Sequence, residues 1–147
     1  MLRRLLAPFI GKSPIETHSR EYRVGQIWQY RTRPGEEQSR LHIAKIETLS
    51  GGQSAFHIYL DNLRIPNSQL PGHMQTDLPH APVSSETLDM SVVKLLGTAA
   101  TPPDVSEGYA VWREAYDAGE GGIFTISAAE IVEFIEEATR KHFGMQS

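Results

Sequence analysis

Four side chains able to move protons, His42, His57, Tyr59 and Asp61, fall in two neighbouring stretches, SRLHIAKIE and AFHIYLD. General acid–base chemistry needs a titratable pair within hydrogen-bond reach, and pairing of the two stretches as strands would make His42 and His57 neighbours. These four are the catalytic candidates. Arg31, Arg33 and Arg40, with His42 and His80, form a second set, suited by charge to an anion or a partner surface. His73, Asp77 and His80 carry metal-ligating side chains in the order H-x3-D-x2-H, which matches no established ligand spacing. They are weak candidates, and no metal or other cofactor is expected. The glycine-rich AGEGG around Gly119 to Gly122 lacks both the Walker lysine and the dinucleotide spacing, so phosphate cradling is disfavoured. No G-x-S-x-G elbow and no H-E-x-x-H helix occurs.

The elements that would hold these residues begin with alternation of period two. Tyr22, Val24, Trp28, Tyr30 and Thr32 alternate with Arg23, Gln29, Arg31 and Arg33, and Pro34-Gly35 then supplies turn chemistry. Leu41 and Ile43 alternate with Arg40 and His42, while Ile46 falls out of phase. A third strand sets Phe56, Ile58 and Leu60 against His57, Tyr59 and Asp61. The three strands form an antiparallel meander whose apolar face needs a cover. Its other face collects Arg31, Arg33, Arg40, His42, His57, Tyr59 and Asp61.

From Asn62 to Val83 the pattern dissolves around Pro66, Pro71, Pro79 and Pro82, which predicts a long loop. Three helices follow. Ser84 or Ser85 caps the first, which runs to about Leu96 with Leu88, Val92, Leu95 and Leu96 as its stripe and Gly97 as its stop. The second starts at Asp104-Val105-Ser106-Glu107 and carries the seam Val105, Tyr109, Trp112 and Tyr116. Ile123 to Ile126 reads as a short fourth strand. Ser127-Ala128-Ala129-Glu130 is a full capping box opening the last helix, with Ile131, Phe134, Ile135 and Ala138 inward and Glu133, Glu136, Glu137, Arg140 and Lys141 outward. The predicted fold is α+β: an antiparallel meander of three to four strands, packed on one face by about three C-terminal helices.

The chain has 147 residues, net charge −4 and no cysteine. That excludes disulfides, thiolate catalysis and cysteine-ligated metal centres, and gives no global field toward nucleic acid. Residues 1–20 read as an N-terminal arm and 21–142 as one domain. Leu2, Leu5, Leu6, Phe9 and Ile10 make the arm apolar, but Pro8, Gly11 and Lys12 interrupt it too soon for a signal peptide. No window is long and apolar enough for a membrane span, which predicts a soluble protein, and the absence of cysteine fits a cytoplasmic one.

GQIWQYRTRPGEEQSRLHIAKIE, LPHAPVS and GGIFTISAAEIVEFIEEA together resemble a group of small, soluble, uncharacterised bacterial proteins, over most of the chain from Val24 onward. The resemblance implies a compact α+β domain of bacterial origin and brings no activity with it. The favoured function is a non-enzymatic protein-interaction module, of the immunity or adaptor kind. Its partner would be another protein, with homo-oligomerisation open and no membrane. A small hydrolase or lyase using His42, His57, Tyr59 and Asp61 is the alternative. Nucleic-acid or anion binding through Arg31, Arg33 and Arg40 is the third reading.

Overall fold

Residues 20–142 are described by the computed structural model. Their fold is α+β, a five-stranded antiparallel sheet with three helices. In chain order the strands are β1 (Gln26–Tyr30), β2 (Arg40–Thr48), β3 (Ser54–Leu60), β4 (Ile65–Pro66), β5 (Met74–Gln75), β6 (Leu78–Val83) and β7 (Val92–Thr98). The helices are α1 (Ser85–Ser91), α2 (Ser106–Asp117) and α3 (Ala128–His142). The main sheet runs β6-β3-β2-β1-β7, and β4 pairs with β5 in a separate two-stranded ribbon. The apolar arm at residues 2–10 lies outside the described residues.

Cross-strand register explains the core. Trp28 faces Leu41, Leu41 faces Leu60, Ile43 faces Ile58 and Ile58 faces Ala81, so one face of the sheet is a continuous apolar row. Leu88 of α1 and Ala128, Ile131 and Val132 of α3 join the same buried cluster. Each large side chain so buried contributes about 1.5–3 kcal/mol. A register shift between Ile43 and Lys45 inserts Ala44 as a bulge, after which Ile46 returns to the apolar face opposite Phe56. The phase break in the sequence is this bulge.

The helix caps follow the local chemistry. Thr87 N–H donates to Ser84 Oγ at 3.2 Å. Ser127 N–H donates to Glu130 Oε1 at 2.9 Å while Glu130 N–H donates back to Ser127 Oγ at 3.2 Å, the reciprocal bonds of a capping box.

Several expectations are corrected. The helix from Ser84 or Ser85 stops at Ser91, and Val92–Thr98 is a strand paired with β1. Leu95 and Leu96 are therefore exposed rather than core. The proline-rich stretch is no structureless loop: it contains the β4–β5 ribbon, a short 3-10 turn at Pro71–His73 and β6, which pairs with β3. Pro82 is tolerated there because β6 is an edge strand, and the N–H that proline lacks would point away from the sheet. Ile123 to Ile126 makes only a single parallel bridge, Phe124 to Val83. In α3, Phe134 is exposed and Glu136 turns inward to Arg33. The helices do not share one face of the sheet either. Whereas α1 and α3 cover the apolar side, α2 lies on the opposite side and buries none of its own residues fully.

Candidate functional site

The polar face of the sheet is where α2 sits, and a chain of hydrogen bonds runs beneath it. His57 Nε2 lies 2.8 Å from Glu47 Oε2, and His57 Nδ1 lies 2.9 Å from His80 Nε2. The two imidazole planes are 14° apart with centroids at 5.1 Å, a spacing equal to one N···N contact plus two ring radii. The rings are thus joined end to end through nitrogen, not stacked face to face. Glu47 Oε1 accepts from the Tyr109 hydroxyl at 3.0 Å and from Arg113 Nη1 at 3.2 Å. Tyr109 and Trp112 close over His57 edge-on, with centroids at 4.9 and 5.0 Å. Lys45 Nζ sits 4.8 Å from the Tyr109 ring.

Electrostatics fix the direction of this chain. Burial would raise the Glu47 carboxyl, but the bonds from His57 and Tyr109 and the Arg113 charge hold it below its ordinary value. Burial lowers His57, which is fully buried, and the Glu47 carboxylate offsets this only in part. Burial, with the neighbouring His57 adding to it, pushes His80 down to about 4. At neutral pH the order is therefore an ionised Glu47 and two neutral rings. An ionised carboxylate only accepts, so the His57 proton is on Nε2, and its Nδ1 must accept from His80 Nε2–H. His80 is left with a lone pair on Nδ1. Among the described residues nothing donates to that atom.

Position on α2 decides what Nδ1 meets. A Cβ built on Gly108 would lie 2.6 Å from His80 Cβ and 3.2 Å from Nδ1, so only glycine lets the helix cross the ring so closely. His80 and Gly108 line a cleft of about 320 Å³ with Pro79, Asp104, Val105, Glu107 and Val111. A second cleft of about 280 Å³, lined by Ala44, Lys45, Pro103, Asp104, Val105, Ser106 and Tyr109, adjoins it across the first turn of α2.

The other candidate residues are placed as follows. His42 does not neighbour His57: its cross-strand partner is Tyr59, and His57 faces Lys45 beyond the bulge. His42 Nε2 instead meets Asp61 Oδ2 at 2.9 Å, and Asp61 Oδ1 caps Arg40 N–H. The Tyr59 hydroxyl donates to Asp77 Oδ2 at 2.7 Å and is pushed up to about 12 by that bond first and burial second. His42, Tyr59, Asp61 and Asp77 thus form a separate cluster. The three arginines do not converge on one surface. Arg31 bonds the Met90 carbonyl, and Arg40 the carbonyls of Glu37 and Ser39. Arg33 grips Glu36 through two bonds of 2.9 and 2.8 Å and reaches Glu136 at 2.7 Å, tying the Pro-Gly turn to α3. His73, Asp77 and His80 are not gathered, and no group of three or more His, Asp or Glu side chains able to hold a metal occurs among the described residues.

Sequence reasoning missed Glu47 and Tyr109 as partners of His57, and Arg113 as a partner of Glu47. The signal for Glu47 was the phase break at Ile46, since a bulge there returns Lys45 and Glu47 to the histidine face. No family model matches the chain, nor does any curated protein or solved structure.

Proposed function

We propose that the chain is a protein-interaction module that takes an extended segment of a partner protein as a sixth strand along β7. The observation that carries this is the contrast between the two edges of the sheet. The β6 edge is blunted by Pro79 and Pro82, and Phe124 occupies its outer side, donating to the Pro82 carbonyl at 2.9 Å and accepting from Ser84 N–H at 2.9 Å. No strand segment or proline covers the β7 edge among the described residues; the Arg20 and Arg31 guanidinium groups reach its Val92 carbonyl at 3.4 and 3.5 Å, and its pairing with β1 is irregular at two points. The edge presents Val93, Leu95 and Leu96, each more than 40% exposed, next to Met90, and Lys94 is its one charged side chain. Unpaired edge N–H and C=O groups specify an extended peptide, and the apolar side chains beside them select its sequence. This is the adaptor-like holding of another chain that the composition favours, and it uses no catalytic group.

The test is affinity capture from native cell extract with wild-type protein and with Leu96→Lys. One specific partner retained by the wild type and lost by the variant is the expected result. Capture that is indifferent to Leu96→Lys removes β7 as the contact, and a solitary wild-type protein removes the interaction reading. No helix among the described residues is long and apolar enough to cross a membrane.

A further inference from the structure

The cleft between β6 and the first turn of α2 has a chemistry separate from the β7 edge. Its floor is His80, whose Nδ1 can only accept, because the bonds through His57 to Glu47 place the ring proton on Nε2. Whatever sits there must donate. Two of the remaining lining residues are Asp104 and Glu107, and no Lys or Arg lines the cleft. Asp104 Oδ1 accepts from Ser106 N–H at 2.9 Å, and the side-chain and backbone bonds from Ser106 hold the acid below its ordinary value, so it is ionised. The start of α2 opposes a cation with about half a unit charge. Two carboxylates outweigh it. Pro79, Val105 and Val111 supply an apolar wall, and a volume of about 320 Å³ stands at the small end of organic-ligand sites.

We propose that this cleft binds a small organic cation, an alkylammonium or alkylguanidinium, whose N–H donates to His80 Nδ1. Asp104 and Glu107 balance its charge, and Val105 and Val111 pack on its carbon chain. Glu47 and His57 are positioning residues, since they act on the ligand only by fixing the tautomer of His80.

The experiment titrates the full chain with butylammonium, butylguanidinium, butyrate and butanol, following the imidazole nitrogens of His80 and the methyl groups of Val105 and Val111 by NMR. The two cations should give saturable shifts at all three residues while butyrate and butanol do not. The Asp104→Asn/Glu107→Gln double variant, which changes exposed groups and keeps an acceptor for Ser106 N–H, should bind them about tenfold or more weakly. Absence of a saturable shift with both cations overturns the proposal. Equal binding of butyrate or butanol, or unchanged affinity in the double variant, overturns it equally. Loss of partner capture with Leu96→Lys leaves this result untouched, so the two sites fail separately.

Discussion

Gly108 is the residue on which the approach of α2 to the sheet depends. A methyl group there would stand 2.6 Å from His80 Cβ, so the helix must lift or the ring must turn. Gly108→Ala should therefore destabilise by about 1–3 kcal/mol, the usual range for overpacking, although alanine is the better helix former. Urea unfolding followed by tryptophan fluorescence checks this, because Trp112 rides on the same helix over His57. Arg33 is the second such residue. Burial would raise Glu36, but the Arg33 fork and the Arg64 N–H outweigh it and keep the carboxylate ionised at 2% exposure. Removing the fork leaves that charge buried with one backbone donor, so Arg33→Ala should cost about 3 kcal/mol, within the range for breaking a buried pair. A chemical melt in which Arg33→Ala costs less than a surface substitution would refute the clamp.

What was legible at this scale was local. The capping pair Ser127 and Glu130 is satisfied within a few residues of itself, so sequence alone placed it, and the same local chemistry narrowed the first N-cap to Ser84 or Ser85, of which Ser84 accepts from Thr87 N–H. The role of Arg33 was not legible, because Glu136 is more than 100 positions away in the chain and charge alone cannot select it from other acids.

At the scale of elements, Val92–Thr98 shows why a helical stripe can mislead. Leu88, Val92, Leu95 and Leu96 have helical spacing, yet pairing with β1 supplies a ladder that the isolated segment lacks, and the adjacent β-branched Val92 and Val93 favour it. Tertiary pairing overrode periodicity. β6 was missed for the converse reason: Pro79 and Pro82 read as breakers, but an edge strand needs no N–H on its outer side. The bulge at Ala44 likewise sets Lys45 opposite His57 and brings Glu47 onto the histidine face, which no strict alternation would give. The element-scale prediction concerns the β7 edge. Because Val93 and Leu96 are about half exposed, Val93→Lys and Leu96→Lys should change folding stability by no more than about 0.5 kcal/mol. The same substitutions should suppress strand-mediated association. Sedimentation at rising concentration, with a melt as control, separates the two effects. A variant that associates as readily as the wild type would show that the edge is inert.

Over the whole molecule, the sheet carries two unlike layers, and pH should distinguish them. The apolar side, held by α1 and α3, has Ile131, Val132 and Leu88 buried against strands, and its tyrosines Tyr30 and Tyr22 are raised by burial and so stay neutral throughout the acid range. The α2 side depends on Glu47, His57 and His80 in fixed protonation states. His80 ordinarily titrates at 6.5 and is pushed down to about 4, so above pH 6.5 it is neutral both folded and unfolded and contributes no slope. Below 6.5 the unfolded chain takes up a proton that the native ring refuses until about pH 4, and stability must fall across that window. His57, lowered in the same direction, adds to the loss. Glu47 and Glu36, both held below 4.5, contribute stability that is intact above that value and is lost as pH drops below it. The expected loss between pH 7 and pH 4 from His80 alone is roughly 1–3 kcal/mol. His80→Gln should flatten the curve between pH 6.5 and 4 while leaving the carboxylate-driven drop below it. Proton uptake by both rings also removes the lone pair that joins them, so hydrogen exchange on α2 should accelerate at acid pH before exchange in β2 and β3 does. An α2 whose protection falls only together with that of the sheet would mean that the relay does not hold the helix separately.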